Sequence, residues 1–487
     1  MTISISEQPL KEQPLYSYQQ REVDCAEKPA IAMFFDPRTG KTRAAISAAR
    51  ELHRLRGASK FLVVAPKLAA QTTWLEHLEE LWPEVVVVNL SDGKLGTRIS
   101  KISTYYENLV PYPPILFVIV NVDILPRITN ELLRVPFDGV IVDELHLFKT
   151  TSSSRTRALM RLSSIPWKRG LTGTPTPRSW LDIFAQYRFL DSSIFGRSIT
   201  QFRRKYIISN PRFPSQIDGY VNADELKQKV ETIAHIVKRE DYHEIPDIQH
   251  VIQHTPLPSD VRSTYDKIVR NAIQSMGDYD LRHKFTQLLV LSRLTGGFAP
   301  GTTGLVHDAK LTATWAEIDP IVTLGKNAVV YYRFEDEGYA LYDFLYKKNV
   351  PAFWLHGKTP TGDRSKAIED FGTKHQVLVA QMQITALGVS LKVADTAIYY
   401  SHGYNYAEFK QSQDRIWKPG GKLTYVYLRA PNTVDEYISK IVSTKAEMSN
   451  ALLSGVEKPE GFIAAMRGGQ VLDSYFARMN ASKKDTV

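Results

Sequence analysis

Two short stretches of the sequence carry side chains that could bind and cleave a nucleoside triphosphate. The first, FFDPRTGKTRAA, follows an apolar run and contains Gly40, Lys41 and Thr42, but Phe35 stands where a G-x-x-x-x-G-K-[ST] loop would have its first glycine. At the start of a helix, backbone N–H groups bind phosphate oxygens, a lysine reaches the β- and γ-phosphates, and a hydroxyl ligates Mg²⁺. We therefore predict these roles for Lys41 and Thr42, while an ordinary turn before a helix would also fit the tripeptide.

The second stretch, VIVDELHLFKT, places two adjacent carboxylates, Asp143 and Glu144, directly after an apolar run. A carboxylate at the carboxyl end of a buried strand can hold Mg²⁺ beside a phosphate loop, and its neighbour can orient or deprotonate the attacking water. We therefore expect Asp143 to bind Mg²⁺ and Glu144 to act on water. His146 is expected to relay between the nucleotide site and a neighbouring lobe, with a polar spacer as the alternative.

The elements that would position these side chains alternate along the chain. Short runs rich in Val, Ile and Leu recur between helix-like segments, which is typical of parallel strands buried on both faces in an α/β fold. The runs are FLVVA, ILFVIV and GVIV within residues 31–175, and NAVVYY, VLVA, TAIYY and TYVYL within residues 327–428. A chain of 487 residues suits two or three domains, so each group of runs is expected to form one lobe.

The segment between the two groups differs from both. Apolar residues have helical spacing in ADELKQKVETIAHIVKRE and in SDVRSTYDKIVRNAIQSM, so we expect a helical region that joins the lobes. The same segment contains FRRKY, in which Phe202 and Tyr206 flank Arg203, Arg204 and Lys205. Aromatic residues interleaved with basic ones suit nucleic-acid stacking, whereas a charged helix face with two core aromatic residues is the alternative.

Composition restricts the class of protein. The formal charge of +9 and the pI near 9.2 favour a polyanionic partner. A single cysteine, Cys25, excludes an internal disulfide framework, and no Cys/His cluster has zinc spacing. No stretch approaches the roughly 18–20 uninterrupted apolar residues that would span a bilayer, and the first residues lack the apolar core of a signal peptide. We therefore expect a soluble, cytoplasmic protein with no membrane partner.

The order of three stretches resembles that of a known family. GKT at 40–42, DELH at 143–146 and LTGTPTPRSW at 171–180 resemble motifs I, II and III of the superfamily 2 helicases and translocases. Further stretches resemble the Q motif and motifs Ia, Ib, IVa, V and VI. In that order they are LYSYQQRE, FLVVAPKLAAQTTW, ILFVIVNVD, WLHGKTPTGDR, ALGVSLKVADTAIYYSHGYN and QSQDRIWKPGG. Within the superfamily, the motif sequences resemble those of Swi/Snf-like enzymes. The resemblance implies two RecA-like parallel-sheet domains with a helical insert between them, ATP and Mg²⁺ as cofactors, and DNA as partner.

The resemblance also implies a role for each matching residue. The implied catalytic residues are Lys41, Asp143, Glu144, Arg415 and Lys418. Nucleotide binding is implied for Gln19, as the adenine reader, and for Thr39, Gly40, Lys41, Thr42, Gly388 and Arg415. Coupling between sites is implied for His146 and Thr172. The implied nucleic-acid contacts are Lys67, Gln71, Arg333, His356, Lys358 and Gln381.

Three departures from the family pattern affect these roles. Arg38 stands where Swi/Snf-like enzymes typically have glycine, beside Pro37, which should stiffen the loop. Ser390 occupies a position that the family usually fills with asparagine. In motif VI the family has two arginines three residues apart, whereas this chain has Arg415 at the first of these positions and Lys418 at the second. Because an ammonium cannot make the planar bidentate contact of a guanidinium, we assign the arginine-finger role chiefly to Arg415.

Within this family the sequence favours an ATP-driven motor that moves on duplex or branched DNA. No chromatin-reading or histone-contacting module is visible in the sequence. The stretch IYYSHGYNYAEFKQSQDRI resembles the corresponding sequences of bacteriophage and prophage enzymes. We therefore expect a monomer that performs branch migration or fork remodelling in replication, recombination or repair, alongside protein partners, in the cytoplasm of a bacterial host if phage-encoded. An RNA helicase, a motor subunit of a nuclease complex and a binding module with an inactive ATP site are the alternatives.

The motif positions predict four segments. They are an N-terminal RecA-like ATP-binding domain at 1–190, a helical insert at 191–315, a C-terminal RecA-like helicase domain at 316–450, and a C-terminal helical extension at 451–487.

Overall fold

Two parallel β-sheets organise the chain, and each is the centre of one compact unit. The computed structural model describes residues 13–107, 115–176, 179–211, 217–274, 281–299, 304–385 and 390–454. This arrangement confirms the predicted fold class, with two parallel-sheet α/β domains.

The strands and helices alternate through most of both units. The strands are β1 Ala30–Phe35, β2 Lys60–Ala65, β3 Val86–Asn89, β4 Leu116–Asn121, β5 Gly139–Asp143, β6 Trp167–Leu171, β7 Ile207–Ser209, β8 Ile217–Tyr220, β9 Ala234–Val237, β10 Asp247–His254, β11 Ala328–Tyr332, β12 Ala352–Leu355, β13 Val377–Gln381, β14 Thr396–Tyr399 and β15 Lys422–Arg429. The helices are α1 Ser17–Asp24, α2 Lys41–Arg56, α3 Lys67–Gln71, α4 Thr73–Leu81, α5 Leu95–Glu107, α6 Leu125–Leu132, α7 Ser154–Arg161, α8 Leu181–Leu190, α9 Ser192–Phe195, α10 Ile199–Tyr206, α11 Ala223–Glu231, α12 Ser259–Gln274, α13 Leu281–Thr295, α14 Ala309–Thr323, α15 Glu335–Lys347, α16 Thr361–Glu369, α17 Met382–Thr385, α18 Tyr406–Asp414 and α19 Val434–Ser454. Two short 3₁₀ turns cover Leu145–Phe148 and Arg239–Asp241.

The first unit is built on seven parallel strands in the order β3-β4-β2-β5-β6-β1-β9. All residues of β1 and β4 are buried, as expected for strands covered by helices on both faces. Because the strands are parallel, their carboxyl ends share one edge of the sheet. Strands β5, β6 and β1 are neighbours in that order, so the loops that follow them lie side by side at this edge. These three loops carry the residues predicted to handle the triphosphate.

The second unit is built on six parallel strands in the order β10-β15-β14-β11-β13-β12. Its sheet is covered on one face by a cluster that includes Tyr331, Leu378 and Tyr399, and on the other by one that includes Val330, Val379 and Ile398. A further apolar cluster joins α12 and α13 to α19 through residues such as Tyr265, Leu291 and Ile438.

The segment expected to be helical also contains strands, which corrects one part of the sequence interpretation. In ADELKQKVETIAHIVKRE, α11 ends at Glu231, and Ala234–Val237 forms β9 beside β1, with Ala234 opposite Ala32. The run Asp247–His254 forms β10 beside β15. Among the residues that the structure describes, no helix has the length and apolarity needed to cross a membrane.

Candidate nucleotide site

The candidate phosphate loop connects buried β1 to α2, so its position is fixed at both ends. Helix α2 begins at Lys41, directly after Gly40, which is left-handed with φ of 75°. The first backbone N–H groups of a helix have no partner within it and bind anions readily. The loop therefore has the strand, turn and helix that the sequence predicted for a phosphate site.

Lys41 turns its side chain back over this loop. Its Nζ donates to the carbonyl oxygens of Phe35 at 2.9 Å and Asp36 at 3.1 Å. The ammonium thus lies on the loop itself, where it can exchange carbonyl oxygens for phosphate oxygens. Thr42 is the next residue of α2 and is half-buried.

The structure gives a physical reason for the glycine that the family prefers at position 38. Arg38 has φ of 67°, a left-handed conformation that costs a residue with a Cβ about 1–2 kcal/mol. The loop adopts this turn although an arginine occupies it. Arg38 is therefore a strained residue, because it holds a left-handed backbone conformation that glycine would adopt freely.

Helix α1 clamps the loop from one side. Gln19 is almost fully buried, and its Nε2 donates to the carbonyl oxygen of Thr39 at 3.0 Å while its Oε1 accepts the backbone N–H of Tyr16 at 3.1 Å. The hydroxyl of Tyr18 donates to the same Thr39 oxygen at 2.9 Å. Gln19 therefore positions the loop in this structure, and its role as adenine reader stays a prediction.

The other side of the loop is held by the chain that follows β9. The backbone N–H of Asp36 donates to the carbonyl oxygen of Val237 at 2.9 Å, and the Asp36 carboxylate accepts a hydrogen bond from the backbone N–H of Arg239 at 3.0 Å. The Thr39 hydroxyl donates within the loop to the Asp36 carbonyl at 2.8 Å. Contacts from α1 and from the chain at and after β9 thus fix the loop conformation.

We expect Gly40→Ala to destabilise the fold and to weaken ATP binding, because a Cβ there would lie 2.4 Å from Gln19 Nε2. Gly57→Ala is the matched control, since Gly57 also has a positive φ, 68°, but its Cβ would meet nothing within 4 Å. Both variants should lose about 1–2 kcal/mol of unfolding free energy in chemical denaturation from the left-handed backbone, and Gly40→Ala should lose more because of the contact with Gln19. Only Gly40→Ala should also raise the Kd for ATP, and equal Kd values in the two variants would contradict the clamp by Gln19.

The paired carboxylates lie at the carboxyl end of β5, two strands from the phosphate loop. Asp143 Oδ1 accepts the backbone N–H of Glu144 at 2.9 Å, and Oδ2 accepts the indole N–H of Trp74 at 3.1 Å. Burial and the charge of Glu144 raise the pKa of Asp143 to about 6, while the hydrogen bond from Trp74 and the charge of Lys41 act in the opposite direction. The carboxylate and the phosphate loop lie at the same edge of the sheet, because β5 and β1 are parallel and only β6 separates them.

The donor set fits a magnesium ion bound together with a phosphate. Within the described parts of the chain, no group of three or more His, Cys, Asp or Glu side chains could hold a metal by itself. Mg²⁺ usually keeps several waters and takes one or two carboxylates plus phosphate oxygens, so a full cage is not needed. Thr42 and Asp143 are the residues that would hold the ion.

His146 lies between Glu144 and the loop after β6. The ring is buried, and Nδ1 lies 2.9 Å from the Thr172 hydroxyl and 3.1 Å from Glu144 Oε2. The Thr172 hydroxyl in turn accepts the backbone N–H of Thr174 at 3.1 Å. Motifs II and III therefore share one hydrogen-bonded chain, while a coupling role for it stays a prediction.

Sequence reasoning missed two side chains that shape this site. Trp74 is fully buried and orients Asp143, although 69 residues separate them along the chain. Tyr18 holds the phosphate loop and packs against Tyr16, Tyr242 and Phe35, with its ring centroid 4.4 Å from that of Tyr242. Both lie inside stretches that the sequence assigned to motifs, so the motifs gave a signal for the region but none for these contacts.

In the second unit, the two basic residues of motif VI differ in their surroundings. Arg415 follows the last residue of α18, and its backbone carbonyl accepts the N–H of Leu391 at 2.9 Å. Lys418 Nζ donates to the Asp395 carboxylate and to the Lys392 carbonyl. The lysine is thus paired within its own unit. Gly388, predicted to bind nucleotide, lies outside the described residues.

The candidate nucleic-acid contacts of the second unit gather at one sheet edge. Arg333, His356 and Gln381 lie at the carboxyl ends of β11, β12 and β13, which are neighbours in the sheet. Arg333 and Gln381 line one cavity of about 260 Å³. The His356 ring stacks on Trp354 with centroids 4.3 Å apart. Lys358, on the loop after β12, pairs with Glu335 at 3.0 Å.

The two candidate nucleic-acid contacts of the first unit, Lys67 and Gln71, differ in their surroundings. Lys67 is exposed at the start of α3, whereas the Gln71 amide donates to the Asp92 carboxylate. The stacking interpretation of FRRKY is wrong for its aromatic residues, because Phe202 and Tyr206 are buried in a core with Phe195. The alternative of a charged helix face over core aromatic residues holds there.

Two family models match successive parts of the chain. Residues 21–295 match the SNF2-related domain, and residues 313–420 match the helicase conserved C-terminal domain. Among solved structures, the SWI2/SNF2 ATPase core of Sulfolobus solfataricus in complex with dsDNA covers 92% of this chain at 18% identity, with a TM-score of 0.41, and the match spans 95% of that chain.

Curated relatives are similar over most of this chain but only part of their own length. The SWI/SNF-related matrix-associated actin-dependent regulator of chromatin subfamily A-like protein 1 of Xenopus tropicalis is 24% identical over 80% of this chain and 39% of its own. An uncharacterized ATP-dependent helicase of Mycoplasma pneumoniae is 22% identical over 80% and 37%. A DNA annealing helicase and endonuclease of Bos taurus is 24% identical over 81% and 36%. The chain thus spans less than half the length of these relatives.

Proposed function

Since the chain belongs to the SNF2-related family of ATP-dependent helicases and translocases, we propose that it hydrolyses ATP and couples the reaction to movement along DNA. The observation that carries the proposal is the connected site of the first unit. There, the loop at Lys41 and the carboxylate of Asp143 follow β1 and β5 at the same edge of the sheet, and His146 Nδ1 lies near both Glu144 and Thr172. Such a site can sense a triphosphate and pass its state to the next loop.

In this proposal each side chain has one task. The N–H groups at the start of α2 bind the phosphates, and Lys41 leaves the Phe35 and Asp36 carbonyls to contact the β- and γ-phosphates. Mg²⁺, when bound by Thr42 and Asp143, supplies Lewis-acid stabilisation of the phosphoryl oxygens. Glu144 orients the attacking water and accepts its proton. Arg415 supplies the charge that stabilises the transition state, with Lys418 as an auxiliary.

Movement on DNA is supported by charge and by the sheet edge of the second unit. The chain carries a formal charge of +9, and three neighbouring strands have Arg333, His356, Lys358 and Gln381 at or shortly after their carboxyl ends. Together with Lys67 and Gln71 of the first unit, these residues are the proposed backbone contacts. Phosphate contacts of this kind give affinity without sequence preference, as a translocating motor requires.

The proposed task is branch migration or fork remodelling in replication, recombination or repair. The proposal extends to a monomeric, phage-encoded enzyme acting in the cytoplasm of a bacterial host with partners from those processes. It also keeps the four predicted segments as functional parts of the chain: the ATP-binding domain at 1–190, the insert at 191–315, the helicase domain at 316–450 and the extension at 451–487.

ATP turnover and strand separation on linear duplex, forked, four-way and RNA substrates, measured at one fixed salt concentration, test the proposal. We expect DNA to stimulate turnover, with forked and four-way DNA being remodelled, and Lys41→Ala to be inactive on every substrate. Equal or stronger stimulation by RNA would make the protein an RNA helicase instead. Absence of phosphate release on all substrates would identify a binding module.

A further inference from the structure

A pocket at the opposite edge of the first sheet carries basic side chains that the proposed reaction does not use. It has a volume of about 600 Å³ and lies at Ala30, the first residue of β1, and Lys168, the second residue of β6, whereas the phosphate loop follows the last residue of β1. A strand of six residues is roughly 17 Å long, so the pocket and the phosphate loop are separated by about that distance. We call it the rear pocket, lined by Lys168, Arg188, Arg197, Ser163, Ser164 and Ser192 among others.

Two guanidinium groups of the rear pocket have no partner within the described part of the chain. Arg188 is half-buried in the last turn of α8, and Arg197 is exposed shortly after α9. Some exposed arginines of this unit do pair, as Arg54 does with Glu51 and Arg56 with Glu27, while others such as Arg127 have no side-chain partner among the described residues. The carboxylate among the pocket's lining residues, that of Asp191, accepts the backbone N–H and the hydroxyl of Ser193. The pocket therefore has more positive than negative charge.

The third cation is held in the pocket wall. Lys168 is half-buried, and its Nζ donates to the Leu190 carbonyl at 3.2 Å, which leaves two of its three N–H donors for another acceptor. Burial lowers the pKa of Lys168, and the charge of Asp191 opposes that shift only in part. An anion bound beside Lys168 would supply the counter-charge that this partly desolvated ammonium lacks.

We propose that the rear pocket binds the sugar–phosphate backbone of a second DNA arm. Three cations and three serine hydroxyls are the donors that phosphate oxygens accept from, and such contacts hold a duplex without reading its sequence. Because the pocket lies at the far edge of the sheet from the phosphate loop, it can act without occupying the nucleotide site. The inference rests on the proposed function, and it gives the motor a means to prefer branched DNA over a linear duplex.

The test compares Arg188→Gln/Arg197→Gln with the matched double variant Arg54→Gln/Arg56→Gln, which removes the same charge from exposed arginines that have partners. The Kd for four-way and linear DNA is measured across a salt series, together with ATP turnover and thermal unfolding. For four-way DNA, the rear-pocket variant should lose about 2 units from the slope of log Kd against log salt, or roughly 0.9 per lost phosphate contact. Its linear-DNA affinity, DNA-stimulated turnover and unfolding temperature should match those of the control variant.

The outcomes separate this inference from the proposed function. If the wild-type protein hydrolyses ATP in response to DNA but both double variants bind four-way DNA alike, the rear pocket is not a DNA site while the motor function stands. If the wild-type protein neither binds nor responds to DNA, both proposals fail. If an oligo-aspartate peptide binds the wild-type protein and not the rear-pocket variant, with four-way DNA binding unchanged, the pocket is a protein-binding surface and the inference is overturned. Rescue of the salt slope by Arg188→Lys/Arg197→Lys would show that charge carries the effect.

Discussion

Replacing Arg415 with alanine is expected to slow ATP turnover by about 10³- to 10⁵-fold, the range found when an arginine finger is absent. A guanidinium presents paired N–H donors in the plane that phosphate oxygens need, and alanine leaves the developing charge unsupported. Arg415 follows the last residue of α18, so truncating its side chain leaves that helix intact. Steady-state phosphate release with and without DNA measures the loss, and ATP binding should change far less than turnover.

Lys418 provides the control for this assignment. Its Nζ pairs with the Asp395 carboxylate and donates to the Lys392 carbonyl, which gives it a structural task within the second unit. Lys418→Arg keeps the charge and can keep the ion pair with Asp395, so turnover should stay within a few-fold of wild type. Near-normal turnover in Arg415→Ala, or a large loss in Lys418→Arg, would reverse the roles of the two residues.

Most interior strands of both sheets could be predicted from the sequence, whereas interior β6, with the sequence WKRGL, and the edge strands were missed. The apolar runs identified there became β2, β4, β5, β11, β13, β14 and β15, which all have a strand on each side. The strands that escaped notice include the four at the sheet edges, β3, β9, β10 and β12. At the sheet edge, β10 needs no continuous apolar run, because most of its residues are exposed.

Strand β9 was missed for an additional reason. It has only four residues and begins three residues after α11 ends, without a glycine or proline between them. Its apolar residues therefore continue the helical spacing of the preceding segment. The pairing with β1, which no local pattern encodes, decides the strand conformation there.

The chemistry of the site was readable where it depends on local order along the chain. Lys41 at a helix start and Asp143 at a strand end follow from residue type and position. The contacts that orient them join distant stretches, since Gln19 and Tyr18 reach Thr39 from α1 and Trp74 reaches Asp143. A single sequence identifies such residues as buried or polar but does not say which partner each one meets.

Replacing Glu144 with glutamine is expected to reduce ATP hydrolysis by about 10²- to 10⁴-fold while ATP still binds, because a general base contributes about that much to the rate. Glutamine keeps the size of the side chain and its contact with His146 but cannot accept a proton from water. Glu144 also holds φ of 51°, a strained conformation of the kind found where structure serves function, and glutamine keeps that backbone. Single-turnover hydrolysis and equilibrium ATP binding on the same preparation separate the two effects.

His146→Gln is the companion variant, because it alters the link to Thr172 at 2.9 Å and leaves the Glu144 carboxylate in place. If Glu144 performs the chemistry and His146 carries the coupling, His146→Gln should keep basal hydrolysis within about tenfold of wild type and lose stimulation by DNA, a far smaller basal effect than loss of the general base. Hydrolysis by Glu144→Gln at the wild-type rate would show that another group activates the water. Loss of basal turnover in His146→Gln, as severe as in Glu144→Gln, would instead place the histidine in the chemical step, and the contact between motifs II and III would then serve catalysis rather than communication.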